Sequence, residues 1–397
     1  MMVHNKTLGI FTVKKIAFYN NEYYTYGGFG SYLSEMRKYF KKTILVAHVT
    51  KQAPREGYYK IPTDNLEIVH LLQSRNELEN LVQQPFNFFI ARKRMCDMDI
   101  VHCRMPDYTG IIGVILSRMY KKQFFIQTIA DWRIEAKKMP ASKKYGLGLF
   151  LKLDYYLYDF LERKLAKNRL VFAQGTSSYE KHKNKAETKL ISSTAHYNKD
   201  IGILRKRFTD KKKVKVLHVG RLTGIKNQEL IIDTIATLNK ETEIQWELSI
   251  LGEGPLRKKL QHQIDELCQT KNIQLIGQVD RGDIFWNYFD TADLFIMSSR
   301  SEGTPKVVLE AMARSVPVVA SNVGGIPYLV KDKTRGLLFE DNNKQALMDA
   351  ILFLQKEEID RDKMMQNAFE FSKNNTVEKS TEFMVTEVSR YFQWEEE

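Results

Sequence analysis

The sequence has little of what marks specialised classes of protein. It contains only 3 cysteines in 397 residues, and none forms a C-x-x-C pair, which argues against a disulfide framework and against a zinc site. Free thiols in the core of a cytoplasmic protein are expected instead. The longest apolar run, Ile111–Leu116, is far too short to cross a membrane. Lys14 and Lys15 interrupt the apolar residues near the N-terminus, so no signal peptide is expected.

Length and charge narrow the class further. A chain of 397 residues with 43% hydrophobic and 27% charged residues predicts a soluble globular protein of two domains. The net charge of +13 is lopsided, with +15 in residues 1–200 and −2 in the remainder. A basic half of this kind attracts phosphate-rich partners, namely nucleic acid, anionic lipid or a pyrophosphate-linked acceptor. A solvated surface that only aids solubility is the alternative.

The order of elements predicts the fold class. Short apolar strands alternate with helical patterns from end to end, which is typical of α/β proteins with parallel sheets covered by helices. Two such series predict two Rossmann-like, doubly wound domains. The first strand is expected at Lys15–Tyr19, and the domain boundary within the polar stretch His196–Lys213.

Two glycine-containing loops are candidates for binding anions, because ligands of open α/β sheets bind beyond the carboxyl ends of strands. The loop Asn20–Gly30 opens a helix, and its glycines would let backbone N–H groups approach an anion. The G-x-G-x-x-G spacing is not met, and a turn without a ligand fits equally well. The loop Val219–Gln228 sets Arg221 and Lys226 five residues apart, a pair suited to a diphosphate.

A third loop combines two carboxylates with the start of a helix. Pro305 suits the first turn of a helix, and the N–H groups of Lys306–Val308 would then face an anion or a sugar hydroxyl. Glu302 lies before that turn and Glu310 lies two turns further on. A buried glutamate here could bind sugar hydroxyls through charge-assisted hydrogen bonds, whereas surface solvation is the ordinary alternative for such a pair.

The third loop resembles the E-x7-E signature of glycosyltransferase family 4, whose members are retaining enzymes of the GT-B fold. The resemblance covers the second half of the chain and includes Gly220-Arg221-Leu222, Lys226, Gly252–Pro255, Gly277-Gln278-Val279, Met312-Ala313, Pro317–Ala320 and Gly324–Pro327. In the first half only the Gly27-Gly28 loop and Asp99–His102 resemble family features. The resemblance implies two Rossmann-like domains that face a cleft. Residues 1–205 would bind the acceptor and residues 206–375 the nucleotide-sugar, with a final helix, about 376–397, that crosses back to the first domain.

The resemblance also implies roles for individual residues. Arg221 and Lys226 would neutralise the donor diphosphate in place of a metal, Glu302 would hold the donor sugar, and Glu310 the ribose hydroxyls. His102 would meet the donor sugar or orient the acceptor. The other donor-binding residues implied are Gly28, Phe29 and Gly30 at the phosphate, Val279 and Arg281 at the base, and Gly220, Gly252, Gly303, Thr304, Pro305, Lys306, Val307 and Val308.

The acceptor side departs from the family pattern. Many members have a histidine where Arg104 stands, and another where this chain has Ala130-Asp131-Trp132-Arg133. Arg104, Asp131 and Arg133 are therefore the acceptor-side candidates. Asp131 could be an acceptor base or a hydroxyl anchor, but a helix N-cap fits as well.

The segment Ala136–Leu170 has nine basic residues and an apolar stripe at helical spacing. It could lie on an anionic membrane, although such a stripe more often packs on a sheet.

The resemblance implies a retaining, hexosyltransferase-like glycosyltransferase that needs no cofactor and no metal. Its donor is expected to be a UDP-sugar rather than a GDP-sugar, and its acceptor a glycan or a polyprenyl-pyrophosphate-linked sugar. The expected pathway is bacterial cell-surface polysaccharide synthesis, such as capsule, O-antigen, exopolysaccharide or lipopolysaccharide. The expected location is cytoplasmic, peripheral to the inner face of the membrane, without nucleic-acid binding. The alternatives are a nucleotide-sugar epimerase of the same fold and a non-catalytic protein that binds anionic lipid.

Overall fold

The computed structural model describes residues 4–54, 57–73, 77–129, 147–192, 194–210 and 212–394. The chain divides into two compact units: unit 1 comprises Met1–Ser192 with Val377–Glu397, and unit 2 comprises Ser193–Thr376. This division lies before the 205/206 boundary placed from the sequence. Residues 205–207 are fixed to unit 2 because the Arg207 guanidinium donates to the carbonyl oxygens of Asp290 and Ala292, both at 2.7 Å.

The central part of the unit 1 sheet is parallel and doubly wound. In the described residues it runs in the order β6-β4-β1-β7-β8-β9-β10, and a small antiparallel extension, β2-β3-β5, joins it through the end of β4. The strands are β1 (His4–Phe11), β2 (Ile16–Tyr19), β3 (Glu22–Tyr26), β4 (Phe40–Thr50), β5 (Tyr58–Ile61), β6 (Leu66–Leu71), β7 (Ile100–Met105), β8 (Gln123–Thr128), β9 (Leu170–Gln174) and β10 (Glu187–Ile191).

Two expectations for this unit were wrong. The first strand is His4–Phe11, in the middle of the sheet, and not Lys15–Tyr19, which contains the second. The stretch Asn20–Gly30 is not one loop, because Glu22–Tyr26 forms a strand. Asn20 and Asn21 make the hairpin turn with φ of 48° and 59°, as a type I′ turn requires.

Helices cover both faces of the unit 1 sheet. They are α1 (Phe29–Met36), α2 (Glu77–Arg92), α3 (Tyr108–Met119), α4 (Leu147–Ala166) and α5 (Thr176–His182), with α13 (Val377–Phe392) at the end of the chain. Helix α13 buries Met384, Val385 and Val388 in the same core as Leu33 of α1. This packing confirms the prediction that the final helix returns to the first domain.

Unit 2 contains a six-stranded parallel sheet in its described residues. Its order, β13-β12-β11-β14-β15-β16, is the doubly wound arrangement 3-2-1-4-5-6. The strands are β11 (Lys213–Val219), β12 (Gln245–Leu251), β13 (Ile273–Gly277), β14 (Leu294–Met297), β15 (Val318–Ser321) and β16 (Leu337–Phe339). The helices are α6 (Gln228–Glu241), α7 (Arg257–Glu266), α8 (Asp283–Thr291), α9 (Lys306–Ala313), α10 (Ile326–Val330), α11 (Lys344–Lys356) and α12 (Glu358–Lys373).

The cysteines also differ from expectation. Cys103 is buried on β7, but Cys96 and Cys268 are exposed, so only one of the three is a core thiol. All three are free.

Candidate functional site

The candidate site of unit 2 lies at the topological switch point of its sheet. Strands β11 and β14 are neighbours, and the chain leaves them in opposite directions along the sheet, to β12 and to β15. The loop after β11 carries Arg221 and Lys226, and the loop after β14 carries Glu302. Parallel strands end at one edge, so the fold brings together two cations and a carboxylate that are about 80 residues apart in sequence.

Lys226 and Glu302 are in direct contact. The Lys226 ammonium donates to Oε1 of Glu302, and the hydroxyl of Ser299 donates to the same oxygen at 2.7 Å. The side chains of Lys226 and Glu302 are 22% and 12% exposed. The pair is therefore partly desolvated but open to solvent on one side, where an anionic ligand could compete for the ammonium.

Arg281 and Glu310 form a second, deeper pair. Helix α9 is embedded in the core, and Glu310 on it is fully buried. Its Oε1 accepts from Nη2 of Arg281, while Nη1 of Arg281 donates to the carbonyl oxygen of Ala195 at 2.7 Å. Burial lowers the pKa of Arg281. Oε2 of Glu310 is buried and accepts no hydrogen bond from any described residue, so one acceptor of this carboxylate is unsatisfied within the described structure.

A buried histidine that the sequence analysis did not single out supports the Arg221 loop. Nδ1 of His218 lies 2.9 Å from the carbonyl oxygen of Ile296, and its Nε2 lies 3.3 Å from Nε2 of Gln228. These partners fix the tautomer, because the ring must donate to the carbonyl and accept from the amide. Gln228 also donates to the carbonyl oxygen of Arg221 at 2.9 Å. Burial lowers the pKa of His218 to about 4, so the ring is neutral at pH 7.

Glycines let the site loops approach one another at backbone distance. Gly252 has φ +133° and Gly324 has φ +56°. A Cβ on Gly252 would overlap the carbonyl oxygen of Gly220, and a Cβ on Gly324 would overlap that of Glu302. Only glycine fits at these two positions, and the positions of Gly220 and Glu302 depend on that fit.

The remaining predicted donor residues lie around these loops. Arg221 is exposed, and its guanidinium makes no ion pair with any residue that the structure describes. Pro305 is the N-cap of α9 rather than a residue of its first turn, since its ψ of 116° is extended. Lys306, Val307 and Val308 form the first turn of α9, and Gly303 and Thr304 precede it. Val279 is partly buried against the core beside Arg281.

The predicted residues of unit 1 form a separate cluster within that unit. Gly28 caps α1, and Phe29 and Gly30 begin it. His102 is buried on β7, stacks on Phe125 with ring centroids 4.5 Å apart, and has Nδ1 2.9 Å from the hydroxyl of Tyr32. Burial and then the charge of Arg104 hold the pKa of His102 well below its usual value. Tyr32 was missed by the sequence analysis. Asp131 and Arg133 lie outside the described residues.

Helix α4 has one exposed apolar face. Tyr156, Leu157 and Phe160 are 50–60% exposed, whereas Tyr158 and Leu165 are buried. The expected apolar stripe therefore packs inward only in part. Among the described residues, no helix has the length and apolar character needed to cross a membrane. The same residues contain no group of three or more His, Cys, Asp or Glu side chains that could hold a metal ion.

The fold has clear relatives among solved structures. Sucrose-phosphate synthase from Thermosynechococcus elongatus matches with a TM-score of 0.73 and 16% identity, over 98% of this chain and all of that one. Anabaena HepE, solved in complex with UDP, matches with a TM-score of 0.69 and 17% identity, over 97% of this chain and 100% of that chain. These likenesses confirm the predicted GT-B fold.

Sequence comparison identifies the family that unit 2 resembles. Residues 202–371 match the model of the family described as glycosyl transferases group 1. The O-antigen biosynthesis glycosyltransferase WbnH of Escherichia coli is 39% identical over 127 residues, which are 32% of this chain and 33% of WbnH. The chain spans less than half the length of such curated relatives. Residues 202–371, which match the family model, include both pairs: Lys226 with Glu302 and Arg281 with Glu310.

Proposed function

We propose that this protein is a retaining glycosyltransferase that moves a sugar from a nucleotide-sugar to a glycan or lipid-linked acceptor. The observation that carries the proposal is the contact of Lys226 with Glu302 at the switch point of unit 2, in the loop region that also carries Arg221, together with the unused Oε2 of the buried Glu310 on the helix that follows. A diphosphate needs the cations, and sugar hydroxyls need the carboxylates. The match of residues 202–371 to glycosyl transferases group 1 supports the same class.

In this proposal Arg221 and Lys226 bind the diphosphate and stabilise the negative charge that develops on the leaving nucleotide. They supply the charge that a divalent metal provides in other enzymes, so no metal is required. Lys226 would turn from Glu302 toward the phosphate when the donor binds, which frees Glu302 for a hydroxyl of the donor sugar. Glu310 would use Oε2 to accept from the ribose.

The nucleotide we propose is UDP, since HepE, whose fold this chain shares, has been solved with UDP. The backbone at Val279 would hold the base, with Arg281 beside it. The first turn of α9 would bind donor oxygens through its N–H groups. In unit 1 we assign Gly28–Gly30 to the donor phosphate, His102 to the donor sugar or the orientation of the acceptor, and Asp131 and Arg133 to the acceptor.

Retention is proposed to follow from front-side attack through an oxocarbenium-like transition state. Positioning of the acceptor and stabilisation of the leaving group would supply most of the catalysis. No covalent nucleophile is assigned, because Glu302 is already used as a ligand for the sugar.

We further propose that the acceptor belongs to a cell-surface polysaccharide and is lipid-linked, as the similarity to WbnH suggests. The exposed face formed by Tyr156, Leu157 and Phe160, with the exposed Lys164 beside it, would then dock on the anionic inner surface of the cytoplasmic membrane. Co-sedimentation with anionic and neutral vesicles tests this, and a double change of Leu157 and Phe160 to Ser is expected to abolish binding to the anionic ones.

The experiment that tests the function measures sugar transfer in EDTA. The full chain is incubated with labelled UDP-sugars and an isoprenyl-diphosphate-linked sugar, and NMR reads the anomeric configuration of the product. Glu310→Gln should weaken donor binding about 10- to 100-fold, because a charge-assisted hydrogen bond is lost. Glu241→Gln, at the exposed end of α6, is the matched control. Epimerised donor without transfer would support the epimerase, and vesicle binding without nucleotide binding would support the lipid-binding protein.

A further inference from the structure

The sheet of unit 1 has a switch point of its own, and it carries two cations. Strands β1 and β7 are neighbours in parallel register, and the last registered pair is Phe11–Cys103. Arg104 is the next residue of β7, and Lys14 follows the end of β1 by three positions. Ligands of open α/β sheets bind at such a point. This is a second location, within unit 1, where the fold itself predicts a ligand.

Arg104 is buried, and no described residue provides it with a counter-ion. Only 7% of the residue is exposed, and its Nε and Nη1 are buried without a hydrogen bond to any described residue. The guanidinium lies over two rings of α1, 4.6 Å from the centroid of Phe29 and 5.0 Å from that of Tyr32. These rings fix its position and attract a cation, but they do not satisfy its N–H donors. Burial lowers the pKa of Arg104 to about 10.

Among the residues that the structure describes, the charged groups around Arg104 are positive. Lys14 is exposed over much of its surface, yet the protein around its ammonium and the charge of Arg104 together lower its pKa. Phe29 and Gly30 are the first residues of α1, whose first turn contains no acidic residue and whose N-cap makes no side-chain hydrogen bond. A helix N-terminus carries partial positive charge, which adds to that of the two side chains.

A buried cation with unsatisfied donors is strongly destabilising unless an anion accompanies it. The arrangement is accounted for if an anion supplies the missing acceptors. Arginine is well suited to phosphate oxygens, and a lysine on the solvent side adds a second contact. We propose that Arg104 and Lys14 bind a phosphate group at the β1/β7 switch point. The molecule that carries this phosphate is the acceptor, in which it forms part of an isoprenyl diphosphate. This identification of the ligand rests on the proposed function.

The test measures binding of two probes, inorganic phosphate and farnesyl diphosphate, by calorimetry. The parent protein is the full chain with Arg221→Gln and Lys226→Gln, so that the diphosphate site proposed in unit 2 does not contribute. Arg104→Met keeps the packing between the rings and is expected to weaken the binding of both probes at least tenfold. Its melting temperature without ligand should equal or exceed that of the parent, because an uncompensated buried charge is gone.

Lys14→Gln is the second variant, and because Lys14 is exposed its fold is not at risk. Lys14→Gln should weaken the binding of both probes several-fold. Lys15→Gln, at the exposed neighbouring residue, should change neither affinity by more than twofold. Tighter binding of farnesyl diphosphate than of phosphate supports the acceptor as the source. Equal binding overturns that source and assigns the site to free phosphate. Unchanged binding of both probes in Arg104→Met and Lys14→Gln overturns the site.

Titration of the unaltered chain with UDP separates this inference from the proposed function. If the unaltered chain binds farnesyl diphosphate but not UDP, the donor site is refuted and the Arg104 site stands. The reverse result would refute the Arg104 site alone.

Discussion

Replacement of Gly324 by alanine should disturb the candidate site of unit 2 by displacing the backbone of Glu302. Gly324 has φ +56°, and its missing Cβ leaves room for the backbone of Glu302. An alanine in this left-handed conformation costs about 1–2 kcal/mol, and relief of the overlap with the Glu302 carbonyl about 1–3 kcal/mol more. The expected destabilisation of unit 2 is therefore about 2–5 kcal/mol. Displacement of Glu302 should also separate it from Lys226, which it contacts directly.

The control is Gly224→Ala in the Lys226 loop. A Cβ at Gly224 meets nothing within 4 Å, and its φ is not in the left-handed region. That change should be neutral or should stabilise by about 0.4–1 kcal/mol through the unfolded state. Urea unfolding followed by tryptophan fluorescence compares the two, because the fully buried Trp246 reports on unit 2. The reasoning is refuted if Gly324→Ala is within about 0.5 kcal/mol of Gly224→Ala and binds UDP equally well.

Two further predictions concern buried charge. Lys181 bridges the buried carboxylates of Asp159 and Glu162 at 2.7 and 2.8 Å, so Lys181→Met should destabilise unit 1 by about 3–5 kcal/mol. The control Lys183→Met, which breaks an exposed ion pair, should cost less than about 1 kcal/mol. Equal melting temperatures of the two variants would contradict this prediction. His218, whose folded pKa is about 4, stays neutral while the unfolded chain takes up a proton below pH 6.5, so stability should fall on acidification. His218→Gln should remove about 2 kcal/mol of the loss between pH 7 and pH 5, measured by urea unfolding, and an unchanged slope would count against the buried neutral ring.

Much of unit 2 could be predicted from the sequence because its signals are local. Alternating apolar strands and helical patterns predicted its doubly wound sheet, and Pro305 placed the start of α9 to within one residue. The segment Asp283–Thr291 was missed as a helix because it is rich in aromatic residues, which have modest helix propensity. The strand His4–Phe11 was missed because only its second half is continuously apolar and buried.

The pairing of charges was not visible in the sequence. That Lys226 meets Glu302 and that Arg281 meets Glu310 depends on which strands are neighbours, a property of the whole sheet. His218 looked like any histidine within a strand, although its place two residues before Gly220 was a signal that could have been used. Arg104 was singled out only because it departs from a family pattern, and its lack of a counter-ion among the described residues is a feature of the packing.

The most direct test of the central claim is the melting temperature of the full chain with UDP in EDTA, since a ligand of the native state alone raises it. The account predicts a clear rise with UDP, no further rise when Mg²⁺ replaces EDTA, and loss of the rise when Arg221 and Lys226 are both changed to Gln. No shift with any nucleoside diphosphate, or a shift that requires Mg²⁺, would contradict a metal-independent donor site in unit 2.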